Sequence, residues 1–343
     1  MLNKENKTWI IEIAMKLLIT GGLGFIGSNF ILQVINKYTK FKITNIDAEL
    51  PGSNKQNLSG LQNNKDYKYV KGNITNKKLI NKLVSNTDAV INFAAESHVD
   101  RSISDPRPFV NSNILGVYTI LEAVRKYKKK FIQISTDEVF GSLKSGSAPE
   151  RYPFNPSSPY AASKASAEVL VQSYITTYDC NAIITRCTNN YGPRQSPEKL
   201  IPKAIFLAEN NKKIPIYGTG KNIRDWIFVL DHCNALLRVF FKGKKGESYN
   251  ISCSNEMDNL TMVKKILEIM GKRKDLIHFT TDRPGHDFRY SLNSSKIYKE
   301  LRWKPSYNFE RGLEYTINWY LKNKKWWKNT SSKKLSSISW KTR

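Results

Sequence analysis

An apolar strand that runs straight into a glycine-rich turn is the feature that most limits how this chain can fold. Residues 16–20 (KLLIT) lead into Gly21-Gly22-Leu23-Gly24-Phe25-Ile26-Gly27, and a helical pattern follows over 25–37. Glycine reaches positive φ without a Cβ penalty and lets a second backbone or a ligand come close. A helix that starts directly after such a turn aims unsatisfied N–H groups and the positive end of its dipole at one spot, which suits a pyrophosphate. The spacing satisfies G-x-G-x-x-G. A second strand over 42–46 ends beside Asp47, and an acidic residue there accepts hydrogen bonds from ribose hydroxyls and repels a 2′-phosphate. The sequence therefore predicts a dinucleotide cradle built on Gly21, Gly24, Gly27 and Asp47, with NAD preferred over NADP.

Further apolar runs at 89–95, 131–135 and 182–187 alternate with helical patterns at 112–127 and 160–177. Short apolar strands alternating with amphipathic helices predict an α/β fold with a doubly wound, parallel, Rossmann-type sheet. Beyond about residue 188 the pattern becomes irregular and richer in Pro and Gly, which predicts a smaller C-terminal α/β domain for a substrate. The expected division is an extension over 1–14, an NAD-binding domain over 15–187 with a return segment near 225–250, a substrate domain over 188–224 and 251–322, and a basic tail over 323–343. Trp326 and Trp327 in that tail are candidates to dock on the body.

Cys180, Cys187, Cys233 and Cys253 show no C-x-x-C spacing, so neither a disulfide framework nor a metal site is expected. No apolar run approaches the ~20 residues of a membrane helix, and residues 1–14 carry no small-residue cleavage site. These readings point to a cytoplasmic chain with no membrane partner. The formal net charge of +26 raises nucleic acid as a partner. The excess is mostly lysine spread along the whole chain, without an arginine-rich patch interleaved with aromatics, so no nucleic-acid partner is expected.

Two clusters carry chemistry. Ser135-Thr136-Asp137-Glu138 follows the strand 131–135, at the carboxyl end where open α/β sheets bind ligands. Tyr160 and Lys164 stand at i and i+4 of a helix opened by Pro159 and so share a face. An ammonium there is expected to lower the phenol towards the range of a general base.

These motifs together resemble the extended short-chain dehydrogenase/reductase superfamily, and within it the dTDP-glucose 4,6-dehydratases. The resemblance covers roughly residues 15–320 through TGGLGFIGS, FAAESHVDRSI, STDEVFG, PYAASKASAE, TRCTNNYGPRQSPEKLIP, IPIYGTGKNIRDWIFVLDH and DRPGHDFRY. Thr136-Asp137-Glu138 discriminates most, since related epimerases carry small or hydroxyl residues there. The resemblance implies dehydration of a nucleoside-diphosphate-glucose, dTDP-glucose ahead of UDP-glucose, for rhamnose-type deoxysugar biosynthesis. It assigns Tyr160, aided by Thr136, to the C4 hydroxyl proton, Glu138 to the C5 proton and Asp137 to the departing C6 hydroxyl. It adds Phe25, Ile26, Asn73, Ile74, Ala94, Ala95, Ser112 and Asn190 to the cofactor residues, along with Tyr160 and Lys164. It places Ser97, Thr136, Asn189, Lys199, Leu200, Arg224, Asn259, Asp287, Arg289 and Tyr290 at the nucleotide sugar, with Pro215, Ile216 and Tyr217 around the base. His98 either touches the sugar or packs. A homodimer built on helices within 103–127 and 160–178 is also implied, with Val169, Leu170 and Ile175 as its apolar positions.

The chain departs from the family pattern at Asn73, usually Asp, at Phe140, usually Tyr, and over Asp47-Ala48-Glu49-Leu50-Pro51 in place of Asp-Lys-Leu-Thr-Tyr. A UDP-sugar 4-epimerase or decarboxylase and a non-catalytic NAD-binding regulatory protein stay open as alternatives. The first needs no Asp-Glu pair, and the second predicts a degraded site.

Overall fold

The computed structural model describes residues 14–327. Most of the expected extension, and the tail from 328 onward, lie outside the described residues. The strands are β1 (Met15–Thr20), β2 (Phe41–Asp47), β3 (Tyr67–Lys71), β4 (Ala89–Asn92), β5 (Lys130–Thr136), β6 (Ala182–Cys187), β7 (Asn189–Tyr191), β8 (Ile214–Tyr217), β9 (Ile223–Phe228), β10 (Ser248–Ile251), β11 (Glu256–Asp258) and β12 (Ile277–Thr280). Seven of them form one parallel sheet in the order β10-β6-β5-β4-β1-β2-β3.

Successive residues of a strand point to opposite faces, and both faces of this sheet are covered. Leu17 and Ile19 of β1 join the core under the helices Phe25–Lys37 and Val229–Lys242. Leu18 joins the opposite core, under Lys77–Ser85, Gly116–Tyr127 and Pro159–Tyr178. Continuous apolar strands are the consequence, as the doubly wound reading requires.

A second, smaller core lies beyond β6. There β11, β9 and β7 make a three-stranded sheet and β12 pairs with β8. Tyr191, Ile205, Trp226, Ile266, Leu313 and Tyr320 pack between these strands and the helices Leu200–Glu209, Asn259–Ile269 and Phe309–Lys322. Trp327 is buried against Phe206 and Tyr320, and the Trp326 indole donates to Asn57 Oδ1 at 2.8 Å. The chain's last described turn is therefore tied back to the cofactor side of the molecule.

Two edge elements were not foreseen. β3 (YKYVK) sets two exposed lysines among half-buried residues, and β10 is only four residues long. The strand expected over 89–95 stops at Asn92, because Phe93–Ala95 turn across the carboxyl end of β1. The helix expected over 112–127 begins as a wide turn at Val110–Leu115 and becomes α-helical at Gly116.

β1 lies between β2 and β4, so consecutive connections leave it in opposite directions and open a crevice at its carboxyl end. Gly21 sits in that crevice with φ 69°, and a Cβ there would stand 2.6 Å from the Ala94 backbone nitrogen. Gly21→Ala must strain its own backbone and push the β4 loop away. We expect a loss on the order of 2 kcal/mol in stability, measured by urea denaturation, together with loss of dinucleotide retained through purification.

Candidate active site

One continuous cleft runs along the carboxyl ends of β1, β2, β4, β5 and β6. Gly21, Gly24, Phe25, Ile26, Gly27, Asp47, Asn73, Ile74, Ala94, Ala95, Ser112, Tyr160, Lys164 and Asn190 all line it. The glycine turn is held from both sides. Gly22 N–H donates to Asn45 Oδ1 at 3.0 Å and Leu23 N–H to Asp47 Oδ2 at 3.0 Å. Asp47 also accepts from Ser53 Oγ at 2.7 Å and from Glu49 N–H at 2.9 Å. Asn73 caps its own turn, accepting from Thr75 N–H at 3.0 Å. The helix Phe25–Lys37 has no side-chain cap at its N-terminus, so its first N–H groups stay free for a ligand. A cradle that a Cβ would fill, an uncapped helix and an acidic strand end fit a dinucleotide. Beneath the cleft, Thr20, Asn92 and Gln133 link β1, β4 and β5 through buried side-chain hydrogen bonds.

Thr136, Asp137 and Glu138 line the same cleft, at the end of β5. Thr136 Oγ1 donates to Asp137 Oδ1 at 3.0 Å, while Asp137 Oδ2 is buried without a hydrogen-bond partner. Burial, reinforced by the neighbouring Glu138 charge, pushes the Asp137 carboxyl up to about 8, so it carries its proton near neutrality. Burial raises Glu138 too, but the cations Arg283, Lys199 and Arg224 oppose that rise. The two adjacent carboxyls thus face different surroundings, which is how an acid and a base coexist.

Tyr160 and Lys164 enter from the helix Pro159–Tyr178, which Ser158 caps through Ala161 N–H at 3.1 Å. The expected lowering of the Tyr160 phenol by Lys164 is not present. Burial, with Glu138 next in size, raises it well above the usual tyrosine value, and a hydrogen bond with Thr136 only partly offsets this. Lys164 donates instead to the Ile134 carbonyl at 2.6 Å, and burial lowers it to about 8. A helical neighbour four residues away does not act on a phenol when a backbone carbonyl holds its ammonium.

The residues expected at the nucleotide sugar divide. Ser97, Asn189 and Lys199 line the cleft with Thr136, and Lys199 donates to the Ser97 carbonyl at 3.0 Å. Tyr290 reaches Glu138 at 3.4 Å and donates to Asp287 at 2.7 Å. Arg224 lies 4.3 Å above the Tyr290 ring and donates to the Asp287 carbonyl at 2.9 Å. Leu200 opens the helix Leu200–Glu209, and Asn259 opens Asn259–Ile269. Tyr217 touches Asp100 at 3.4 Å. Pro215 precedes Ile216 on β8, whose alternation turns Ile216 into the second core. Arg289 pairs with Glu256 and lines a separate shallow pocket, away from the cleft. His98 is half-buried, with a buried Nδ1 unpartnered and Nε2 3.5 Å from Glu198.

Sequence reasoning passed over Arg283, which donates to Asp100 Oδ1 at 3.0 Å and leaves its buried Nε unpartnered. It also passed over Glu96, a carboxyl in the cleft wall that burial raises. Arg283 stands within the quoted DRPGHDFRY segment, so the signal was a cation in a motif rather than a pattern of its own.

A family model described as GDP-mannose 4,6 dehydratase matches residues 18–316. The dTDP-glucose 4,6-dehydratase of Xanthomonas campestris pv. campestris (strain B100) is 43% identical over 331 residues, covering 90% of this chain and 94% of that protein. The chain belongs to the dTDP-glucose 4,6-dehydratase family. Among solved members of the family, the Streptomyces venezuelae enzyme with NAD bound superposes with a TM-score of 0.91 at 38% identity, covering 92% of this chain and 100% of that one. The Bacillus anthracis enzyme, also in complex with NAD, gives 0.88 at 45%, covering 93% and 100%.

A buried carboxyl whose folded value lies above its unfolded one binds its proton more tightly in the native state. Stability then falls as pH rises between the two values, here from about 4 to about 8 for Asp137. Asp137→Asn removes that penalty. The variant should melt several degrees above wild type at pH 8, with the gap narrowing as pH falls and closing only near pH 4, as followed by differential scanning calorimetry.

Proposed function

We infer that this chain is a nucleoside-diphosphate-glucose 4,6-dehydratase, a hydro-lyase, that converts dTDP-glucose to its 4-keto-6-deoxy sugar for deoxysugar biosynthesis of the rhamnose type. The observation that carries this reading is a buried Asp137, one of its oxygens without a partner, beside Glu138 in the same cleft as Tyr160 and the dinucleotide cradle. An epimerase has no use for that pair, and a binding protein would not keep all five of Thr136, Asp137, Glu138, Tyr160 and Lys164.

NAD is the resident cofactor; Gly21, Gly24, Gly27 and Asp47 would hold it, and it would supply the acceptor for the C4 hydride and the donor of that hydride to C6. The residues do the remaining work. Tyr160, hydrogen-bonded to Thr136, receives the C4 hydroxyl proton. Since burial raises the phenol, its work as a base needs positive charge beside it, which Lys164 can bring by leaving the Ile134 carbonyl. The C4 ketone then acidifies the C5 proton, which Glu138 removes. Asp137 gives its proton to the C6 hydroxyl as water leaves, and a proton returns to C5 as the hydride reaches C6. Lys199, Arg224 and Arg283 supply the positive charge that a diphosphate requires, and Ser97, Asn189 and Tyr290 position the sugar.

The proposed division of labour keeps residues 15–187, with the return near 225–250, for the cofactor, and 188–224 with 251–322 for the nucleotide sugar. Val110, Leu115, Tyr118, Val169 and Tyr178 are exposed apolar or aromatic side chains on and around Gly116–Tyr127 and Pro159–Tyr178. Such a patch supports a homodimer through these helices. The four free cysteines accord with a cytoplasmic location.

The chemical steps separate in mutants. Tyr160→Phe should lose nearly all turnover. Glu138→Gln should still oxidise C4 but stall at C5, building up the near-ultraviolet absorbance of reduced nicotinamide when dTDP-glucose is added. Losses of about 10²–10⁴-fold are expected for such groups. Wild-type turnover in Glu138→Gln would remove the elimination step and favour an epimerase. UDP-glucose run in parallel should give the lower kcat/KM, and the reverse order would reassign the base.

A further inference from the structure

The loop after β2 carries Glu49, an acidic residue two positions beyond Asp47. Its backbone is left-handed, with φ 58°, a conformation that costs a non-glycine residue free energy. Something must hold it there, and the side chain shows what does. The Glu49 carboxylate accepts the Tyr69 hydroxyl at 2.7 Å and the Lys55 ammonium at 2.8 Å, and it lies 3.3 Å from the Lys71 ammonium. Its own N–H is fixed on Asp47 at 2.9 Å.

This cluster borders the cleft at its Asp47 end. Ala48, Leu50, Pro51, Gly52 and Ser53, on either side of Glu49, line that cleft together with Asp47. The lysines are exposed (65% and 68%), whereas Glu49 is mostly covered (21%). Lys71 directly precedes Gly72 of that lining and Lys55 follows Ser53 by two residues, and two ammonium groups at such an edge are what a 2′-phosphate would seek. Paired with Glu49, they are turned away from that use. Lys55 is the largest influence holding the Glu49 carboxyl down at about 2, so it stays ionised across the working pH range.

We propose that Glu49 determines cofactor specificity by occupying Lys55 and Lys71, thereby masking a latent 2′-phosphate site at the edge of the ribose pocket. Asp47 supplies repulsion towards that phosphate, and Glu49 withdraws the attraction. The proposal rests on the reading of the cleft as an NAD site and goes beyond it, because it assigns selectivity to a residue outside the fingerprint.

The test is cofactor exchange. Purified protein is equilibrated with equimolar NAD and NADP at low salt, separated from free dinucleotide, denatured, and the released cofactors are quantified by chromatography. Wild type should hold almost only NAD. Glu49→Gln keeps an acceptor for Tyr69 but loses the charge. Its bound NADP:NAD ratio should rise about five- to tenfold, a gain matching the modest strength of exposed charge interactions. The gain should shrink in high salt and vanish when Lys55 and Lys71 are also changed to Met. An unchanged ratio in Glu49→Gln, or equal loss of both dinucleotides, would overturn the proposal and leave Glu49 as a brace for the loop. Wild type that takes up neither dinucleotide would sink the cofactor reading itself, and this proposal with it.

Discussion

Everything in this molecule hangs on the close approach of two strand ends at Gly21 and Ala94. Because β1 feeds β2 on one side and meets β4 on the other, the two loops must pass each other at the centre of the sheet. Only a residue without a Cβ fits between them. That contact opens the crevice, aims the uncapped helix Phe25–Lys37 into it, and fixes the distance from the cradle to the end of β5. The buried hydrogen bonds from Thr20 through Asn92 to Gln133 hold the three strands in step beneath it. A polar chain in a sheet core is tolerated because each member is satisfied by its neighbour.

The second determinant is uneven burial. Asp137 and Glu138 are consecutive, yet Asp137 leaves one oxygen buried without a partner, while Glu138 faces Tyr290 and the cations Arg283, Lys199 and Arg224. The same low-dielectric surroundings that keep Asp137 protonated raise Tyr160 and lower Lys164. Substrate and cofactor enter a site tuned for proton donation. The cost is carried by the fold, as is common where function asks for buried ionisable groups.

How far the sequence speaks for itself depends on the range of the interaction. The strand, glycine turn and helix at 16–37 are local, and so were legible. So were β5 with Thr136-Asp137-Glu138 and the helix carrying Tyr160 and Lys164. β3 was hidden because an edge strand with two exposed lysines in five residues lacks the apolar signature of its neighbours, and β10 because four residues set against distant β6 carry no period. The run 89–95 misled because Phe93, Ala94 and Ala95 are apolar for the sake of the cleft rather than the sheet. Lys164 was taken as the partner of Tyr160 from helical spacing, but the carbonyl that captures it belongs to β5, thirty residues away. Arg283 and Glu49 act only through contacts that a linear pattern does not contain.

The central claim is that a single hydride leaves C4 and returns to C6 within one closed site while the paired acids move protons. Dehydration of dTDP-glucose carrying deuterium at C4, followed by NMR of the product, tests this directly. The account predicts deuterium in the C6 methyl group of the 4-keto-6-deoxy sugar, without dilution by solvent. Deuterium lost to water, or found again at C4 of an unchanged or epimerised sugar, would contradict it.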